Sequence, residues 1–155
     1  MEKLVIRSAE PEDVTEVAEL LAEIERYYGA TEVQALAERV VQTEQALFGS
    51  TPLASVLLAE VDSQLVGLAA YSFLWPAAGS THSLYLKELY VRQSSRRSGV
   101  GARLMAEIRA IAAARPGCSR VEWTADRDNP TSVSFYRALG YEEFHGKVMY
   151  RISGE

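Results

Sequence analysis

Apolar residues recur along this chain with two periods, one typical of helices and one typical of strands. Spacings of three and four residues predict helices over residues 11–28, 33–47, 99–115 and 131–139. Short apolar or alternating runs predict strands over residues 4–7, 56–61, 65–73, 84–91, 120–125, 141–144 and 147–152. This order of elements is typical of a mixed α/β (α+β) single domain.

Proline and glycine mark the limits of these elements. Pro11 suits the first turn of a helix, and Asn129 followed by Pro130 is an N-cap with proline at the first helical position. Gly140 suits the position just past a helix end. The last predicted helix is therefore bounded on both sides.

The composition is that of an ordinary soluble globular protein, with 155 residues, 48% hydrophobic and 24% charged. No apolar run approaches the roughly 20 residues of a membrane span, and the first residues lack the apolar core of a signal peptide. Cys118 is the only cysteine, which excludes an internal disulfide, and no cysteine metal site is expected. The simplest expectation is a cytosolic, metal-free protein.

The charges are distributed unevenly. Residues 10–44 hold ten acidic and two basic side chains, whereas residues 92–120 hold seven arginines and one acid. The pattern fits either two solvated helical faces or a basic half for a phosphorylated ligand and an acidic half for a cationic one. The net charge of −5 argues against a nucleic-acid partner.

A strand that leads through a glycine turn into a helix lies at residues 85–104. The turn carries Arg96 and Arg97 and then Gly99-Val100-Gly101. Backbone N–H groups at a helix start bind anions, and arginines add forked donors, so this segment is either a phosphate-binding turn or a tight strand–helix connection. A Walker loop is excluded because no Gly-Lys-Ser/Thr follows, and a Rossmann fingerprint because its third glycine is replaced by Leu104.

Two motifs together carry a family resemblance. The pattern RxxGxG at residues 96–101 is followed by N-x-x-S-x-x-F-Y at 129–136 and Leu139-Gly140-Tyr141. The chain resembles the GNAT superfamily of acetyl-CoA-dependent N-acyltransferases over almost its whole length. The resemblance implies a GNAT fold in one domain, residues 1–155, with a central, mostly antiparallel sheet of about seven strands flanked by four helices.

Three segments resemble the spermidine/spermine and thialysine acetyltransferase branch. They are Ile24-Glu25-Arg26-Tyr27-Tyr28, Val40-x-x-Thr43-Glu44-x-x-Leu47-Phe48 and Tyr85-Leu86-x-Glu88-x-x-Val91. In that branch homodimers are usual, and the apolar C-terminal strands are a candidate seam here.

The resemblance implies that the turn after the fourth strand cradles the CoA pyrophosphate, that the strand contacts pantetheine, and that the last helix flanks the thiol. The residues at these motif positions are Leu89, Tyr90, Val91, Arg96, Arg97, Ser98, Gly99, Val100, Gly101, Ala102, Asn129, Ser132, Phe135 and Tyr136.

Amine acetylation needs a base, an oxyanion donor and a group that protonates or hydrogen-bonds the leaving thiolate. The resemblance assigns the last role to Tyr136 and the oxyanion to a backbone N–H near Leu89–Val91, beside a strand bulge. Glu88 is the candidate base, directly or through water. The alternatives are a packing tyrosine at 136 and a surface salt bridge at Glu88.

The acceptor side departs from the polyamine enzymes, which carry two adjacent acids where this chain has Lys87 and Glu88. Adjacent strand residues face opposite sides, so Glu88 does not simply replace the missing acid. Lys87 favours an amino-acid-like amine over a polycation. The expected pocket is formed by Tyr27, Tyr28, Trp75, Lys87 and Glu88, although both tyrosines also suit helix-end packing.

These residues predict transfer of an acetyl group from acetyl-CoA to a primary amine of a small molecule such as a diamine, a polyamine or an amino-acid-like amine. Two alternatives stay open: an acetyltransferase acting on N-terminal or lysine amines of proteins, and a non-catalytic CoA-binding module.

Overall fold

The computed structural model describes residues 3–154 and divides into two compact units, one ending at Trp123 and one beginning at Thr124. The first unit contains strands β1 (Leu4–Ser8), β2 (Ser55–Val61), β3 (Gln64–Leu74), β4 (His82–Val91) and β5 (Cys118–Trp123), and helices α1 (Val14–Tyr27), α2 (Leu36–Phe48) and α3 (Val100–Ala114). The second contains helix α4 (Pro130–Ala138).

The five strands form one sheet in the order β1-β2-β3-β4-β5. The pairs β1–β2, β2–β3 and β3–β4 are antiparallel, and the pair β4–β5 is parallel. The mixed α/β class, the mostly antiparallel sheet and the four helices are thus confirmed, whereas the number of about seven strands is wrong.

The two missing strands are those predicted over residues 141–144 and 147–152. Within the described part of the chain, residues 141–154 form neither helix nor strand. Val148, Tyr150 and Ile152 are 76%, 90% and 99% exposed. Their alternation suits a pleated surface, but a strand is stable only when a partner edge accepts its backbone hydrogen bonds, and a two-stranded hairpin alone is marginal.

Both faces of the central strands are covered, because residues 56–59 of β2 are all buried. On one face, α1 packs through Val17, Leu20 and Ile24 against a cluster that includes Leu58 and Leu68. On the other face, the contacts of α3 with the sheet bury Leu104, Met105 and Ile108. Each such side chain contributes about 1.5–3 kcal/mol of hydrophobic stabilisation, so this double layer fixes β4 in place.

The start of α1 is attached to the sheet by a charged network. Arg7 Nη1 donates to Asp13 Oδ2 over 2.8 Å, and its Nε donates to Glu60 Oε1 over 2.7 Å. Asp13 also accepts the backbone N–H of Glu10 at 2.7 Å and so caps the 3-10 turn Pro11–Asp13. The Arg7 hydrogen bond holds the pKa of Asp13 below its usual range. In residues 3–154 no helix is long and apolar enough to cross a membrane.

Candidate active site

A β-bulge in β4 decides which side of the sheet Glu88 faces. Leu86 pairs with Tyr71 and Glu88 pairs with Ala70, so Lys87 is an extra residue without a partner on β3. Tyr71 and Ala70 are adjacent and face opposite sides, and their partners on β4 therefore do so too. The bulge turns Glu88 to the face on which α1 packs, whereas Leu86 faces α3.

The Glu88 carboxyl lies in an unusual environment. Its side chain is half-buried, and Oε1 is fully buried with no hydrogen-bond partner among residues 3–154. Burial raises the pKa of Glu88 above its ordinary value, and the charge of Lys87 opposes that shift. Glu88 takes part in none of the ion pairs found in the described chain, so the surface salt bridge considered from the sequence is not formed.

The strand after the bulge runs close to β3. Leu89, Tyr90 and Val91 pair with residues 67–69. A Cβ built on Gly67 would lie 2.7 Å from the Tyr90 carbonyl oxygen, so only glycine permits this approach. The backbone of β4 is therefore held close to β3 just before residues 96–101, which we call the arginine turn.

The turn between β4 and α3 presents backbone donors. Arg97 and Gly99 have φ of +63° and +87°, and the Ser98 hydroxyl donates to the Ser95 carbonyl. Helix α3 begins at Val100 with no side-chain cap and no acid in its first turn among the described residues. The space beside Gly99 is open. The first N–H groups of a helix lack intrahelical partners, so this end fits an anion such as a pyrophosphate. Gly101 and Ala102, which follow in the first turn, are half-buried.

Arg96 is anchored at the mouth of this turn. Its Nε donates to the Val91 carbonyl oxygen over 2.8 Å. Its guanidinium lies over the Tyr27 ring at 4.5 Å and over the Tyr90 ring at 5.4 Å. Arg97 is exposed. The two arginines thus differ, since the Arg96 side chain is held against aromatic rings and the Arg97 side chain is exposed.

Glu23 and Arg92, which were not among the residues predicted for the site, complete this cluster. The Tyr90 hydroxyl donates to Glu23 Oε2 over 3.0 Å, and Arg92 Nε donates to Glu23 Oε1 over 3.2 Å. Burial, and then the Glu23 hydrogen bond, raise the pKa of Tyr90. Glu23 and Tyr27 are four residues apart and so share one face of α1. This four-residue spacing is the sequence signal that links Glu23 to the predicted site residue Tyr27.

The predicted acceptor residues do not all converge. Tyr27 packs edge-on against Tyr28 and Tyr90, with ring centroids 5.1 and 5.8 Å away. Trp75 is 71% exposed, and its Nε1 donates to the Ser80 carbonyl. Its neighbour Leu74 pairs with Ser83, five residues before Glu88 and so about 15 Å away along β4. Tyr27 thus contacts Arg96 of the arginine turn, and the Trp75 backbone lies well away from Glu88.

The second unit carries the other motif. Asn129 Oδ1 accepts the N–H of Ser132 over 3.4 Å, which confirms the predicted N-cap of α4. The rings of Phe135 and Tyr136 pack edge-on with centroids 5.1 Å apart. Gly140, with φ of +89°, ends the helix as predicted. Across residues 3–154, no three His, Cys, Asp or Glu side chains are grouped as metal ligands would be.

Comparison with known families gives a clear assignment. Residues 16–141 match the model of the acetyltransferase (GNAT) family. The match spans most of the chain and includes both motifs. The chain belongs to the GNAT acetyltransferase family.

Individual relatives are distant. An L-ornithine N5-acetyltransferase of Arabidopsis thaliana is 26% identical over 94 residues, which is 61% of this chain and 41% of that protein. A human spermidine/spermine N(1)-acetyltransferase-like protein 1 is 27% identical over 147 residues, 90% of this chain and 21% of that protein. The chain therefore spans less than half of either relative.

Among solved structures, an integron cassette protein from V. cholerae is 27% identical with a TM-score of 0.88, covering 97% of this chain and 93% of that one. The two acetyltransferase relatives fit the expected spermidine/spermine and thialysine branch. The cassette protein shares the fold over almost the full length.

Proposed function

We propose that residues 1–155 form a single acetyltransferase domain that transfers an acetyl group from acetyl-CoA to a primary amine of a small molecule. The observation that carries this proposal is the environment of Glu88, a half-buried carboxyl with an unpartnered oxygen. Glu88 follows the bulge in β4, the strand that leads into the arginine turn. The amine attacks the thioester directly while both substrates are bound.

Glu88 acts as the base. An alkyl ammonium has a pKa near ~10.4 and is no nucleophile until it loses a proton. The raised pKa makes the Glu88 carboxylate a better proton acceptor. Because burial removes water from this carboxylate, its negative charge attracts a cationic substrate more strongly. Glu88 takes the proton from the amine, directly or through one water.

The arginine turn holds the cosubstrate. The uncapped start of α3, the open space beside Gly99, and Arg96 and Arg97 together supply hydrogen-bond donors and positive charge for pyrophosphate. Leu89, Tyr90 and Val91 supply backbone groups to the pantetheine arm. Asn129 fixes the start of α4, the helix that carries Ser132, Phe135 and Tyr136.

The acetyl group is transferred through a tetrahedral intermediate. The nitrogen lone pair attacks the thioester carbon, and a backbone N–H near Leu89–Val91 stabilises the oxyanion. The attacking nitrogen still carries one surplus proton, which it releases to water as the C–S bond breaks. Tyr136 donates a hydrogen bond to the departing thiolate, or donates its proton and regains one from water. Full proton transfer from a phenol near ~10 to a thiolate near ~8.5 costs roughly 2 kcal/mol, which favours the hydrogen-bonding role.

The acceptor is an amine of the diamine, polyamine or amino-acid-like class, in keeping with the ornithine and spermidine/spermine relatives. Lys87 is the exposed extra residue of the bulge, directly beside Glu88. A cation at this position repels a polycation and attracts a substrate carboxylate. We therefore place amino-acid-like amines such as ornithine or lysine first.

The test is release of free CoA thiol with a panel of ornithine, lysine, spermidine, putrescine and a lysine-containing peptide, alongside calorimetric binding of acetyl-CoA. We expect turnover with a small amine and loss of acetyl-CoA binding in Gly99→Asp, because a carboxylate would then face the pyrophosphate. Turnover only with the peptide would favour a protein acetyltransferase. Binding without any turnover would favour a CoA-binding module.

We also propose that the protein works as a homodimer. The C-terminal residues 144–152 expose apolar side chains that a monomer leaves in water, namely Phe144, Val148, Met149, Tyr150 and Ile152. An exposed apolar segment of this size is typical of an interaction surface.

A further inference from the structure

The last two turns of α1 contact the segment that runs from the end of β4 to Arg96 at two positions. Glu23 accepts hydrogen bonds from the Tyr90 hydroxyl and from Arg92. One helical turn later, the Tyr27 ring lies under the guanidinium of Arg96. Arg92 Nη1 also donates to the Leu65 carbonyl over 2.9 Å. On one face of α1, the Glu23 carboxylate thus contacts the start of residues 90–96, and the Tyr27 ring contacts their end.

These contacts fix the orientation of Arg96. Its Nε is used by the Val91 carbonyl, and two aromatic rings lie against the guanidinium. The terminal nitrogens make no hydrogen bond within residues 3–154, so four N–H donors of a guanidinium remain for a ligand. An arginine with a fixed plane loses less entropy on binding an anion than a mobile one.

We propose that Glu23 and Tyr27 are positioning residues that hold Arg96 ready for the pyrophosphate of acetyl-CoA. This inference rests on the proposed function and deepens it, because it moves Tyr27 from the acceptor pocket to the cosubstrate side. Helix α1 thereby contributes to cosubstrate affinity without touching the cosubstrate.

Ordinary helix-end packing of Tyr27 would give a different set of effects. Loss of packing lowers stability and so reduces the folded fraction, which lowers apparent kcat with every donor and leaves the KM values unchanged. Loss of Arg96 positioning weakens only the binding of the ligand portion that carries the pyrophosphate. S-acetylpantetheine lacks that portion and is therefore the probe that separates the two.

The first experiment compares Tyr27→Leu with Tyr27→Phe. We expect Tyr27→Leu to raise the calorimetric Kd and the KM for acetyl-CoA about fivefold, the size of one half-buried cation–π contact, with kcat and the acceptor KM nearly unchanged. Its kcat/KM for S-acetylpantetheine should stay constant. Tyr27→Phe keeps the ring and should restore most of the acetyl-CoA affinity. A raised acceptor KM with an unchanged acetyl-CoA KM would overturn the proposal.

A double-mutant cycle identifies Arg96 as the mediator. Arg96→Ala alone should weaken acetyl-CoA binding, and adding Tyr27→Leu should weaken it little further, because the ring acts through Arg96. Additive effects would contradict this. Glu23→Ala should also raise the Kd, whereas Glu19→Ala, an exposed acid one turn earlier on the same helix, should not.

A readout without ligand completes the test. Amide hydrogen exchange of residues 96–101 in the ligand-free protein should be faster in Tyr27→Leu than in Tyr27→Phe, since the anchored arginine restrains the turn. Equal exchange in both variants would count against positioning. If the wild-type protein binds no acetyl-CoA, the proposed function fails; if it binds and Tyr27→Leu binds equally well, only this inference fails.

Discussion

The buried oxygen of Glu88 links two measurable properties, activity and stability, to one titration. Burial raises the pKa of the carboxyl in the folded protein above that of the unfolded chain. A base must be ionised to act, so activity rises as pH increases through the folded-state pKa. Burial favours the protonated carboxyl, so Glu88 makes its full contribution to folding stability below its pKa in the unfolded chain. That contribution is lost as pH rises through its pKa in the folded protein.

We expect kcat/KM to show an ascending limb whose midpoint lies above the ~4.3 of an ordinary glutamate. Glu88→Gln should remove that limb and lower kcat about 100-fold or more. In thermal denaturation, the Tm advantage of Glu88→Gln over wild type should grow as pH rises. An unchanged limb in Glu88→Gln would exclude Glu88 as the base.

At the scale of elements, the pair β3 and β4 sets the geometry around the site. The bulge at Lys87 reverses the alternation of side chains along β4. Beyond it, Gly67 lets the backbone of Tyr90 come close to β3. The spacing of these two strands therefore controls the position of the segment that leads into the arginine turn.

Gly67→Ala tests this coupling. The added methyl group meets a backbone carbonyl that has little room to move, so we expect a loss of about 1–3 kcal/mol in the free energy of unfolding. Acetyl-CoA binding should weaken as well, because β4 is displaced at residues 90–91. Gly154→Ala, where a Cβ meets open space, is the control and should change neither denaturant midpoint nor Kd. Normal stability of Gly67→Ala would refute the close-approach argument.

At the scale of the whole molecule, the exposed C-terminal residues predict self-association. Val148→Asp combined with Ile152→Asp places two charges on the apolar segment and should shift the protein from dimer to monomer in sedimentation velocity. Lys147→Glu changes charge at a polar position of the same segment and should leave the dimer intact. A wild-type protein that sediments as a monomer at micromolar concentration would contradict the dimer.

The sequence by itself determined most of the elements, since hydrophobic periodicity and capping chemistry are local properties. Four helices and five strands lie close to their predicted positions, and Asn129 caps α4 as expected. The two motifs also identified the family that the match over residues 16–141 confirms. The predicted cosubstrate and catalytic roles of individual residues stay predictions.

Tertiary structure decided what depends on pairing between distant segments. The bulge at Lys87 is a matter of register with β3, and no residue type announces it, so only the structure showed which face Glu88 occupies. The grouping of Glu23, Tyr27 and Arg96 joins positions about seventy residues apart. Residues 147–152 alternate like a strand yet form none, because a strand needs a partner edge that local sequence cannot specify.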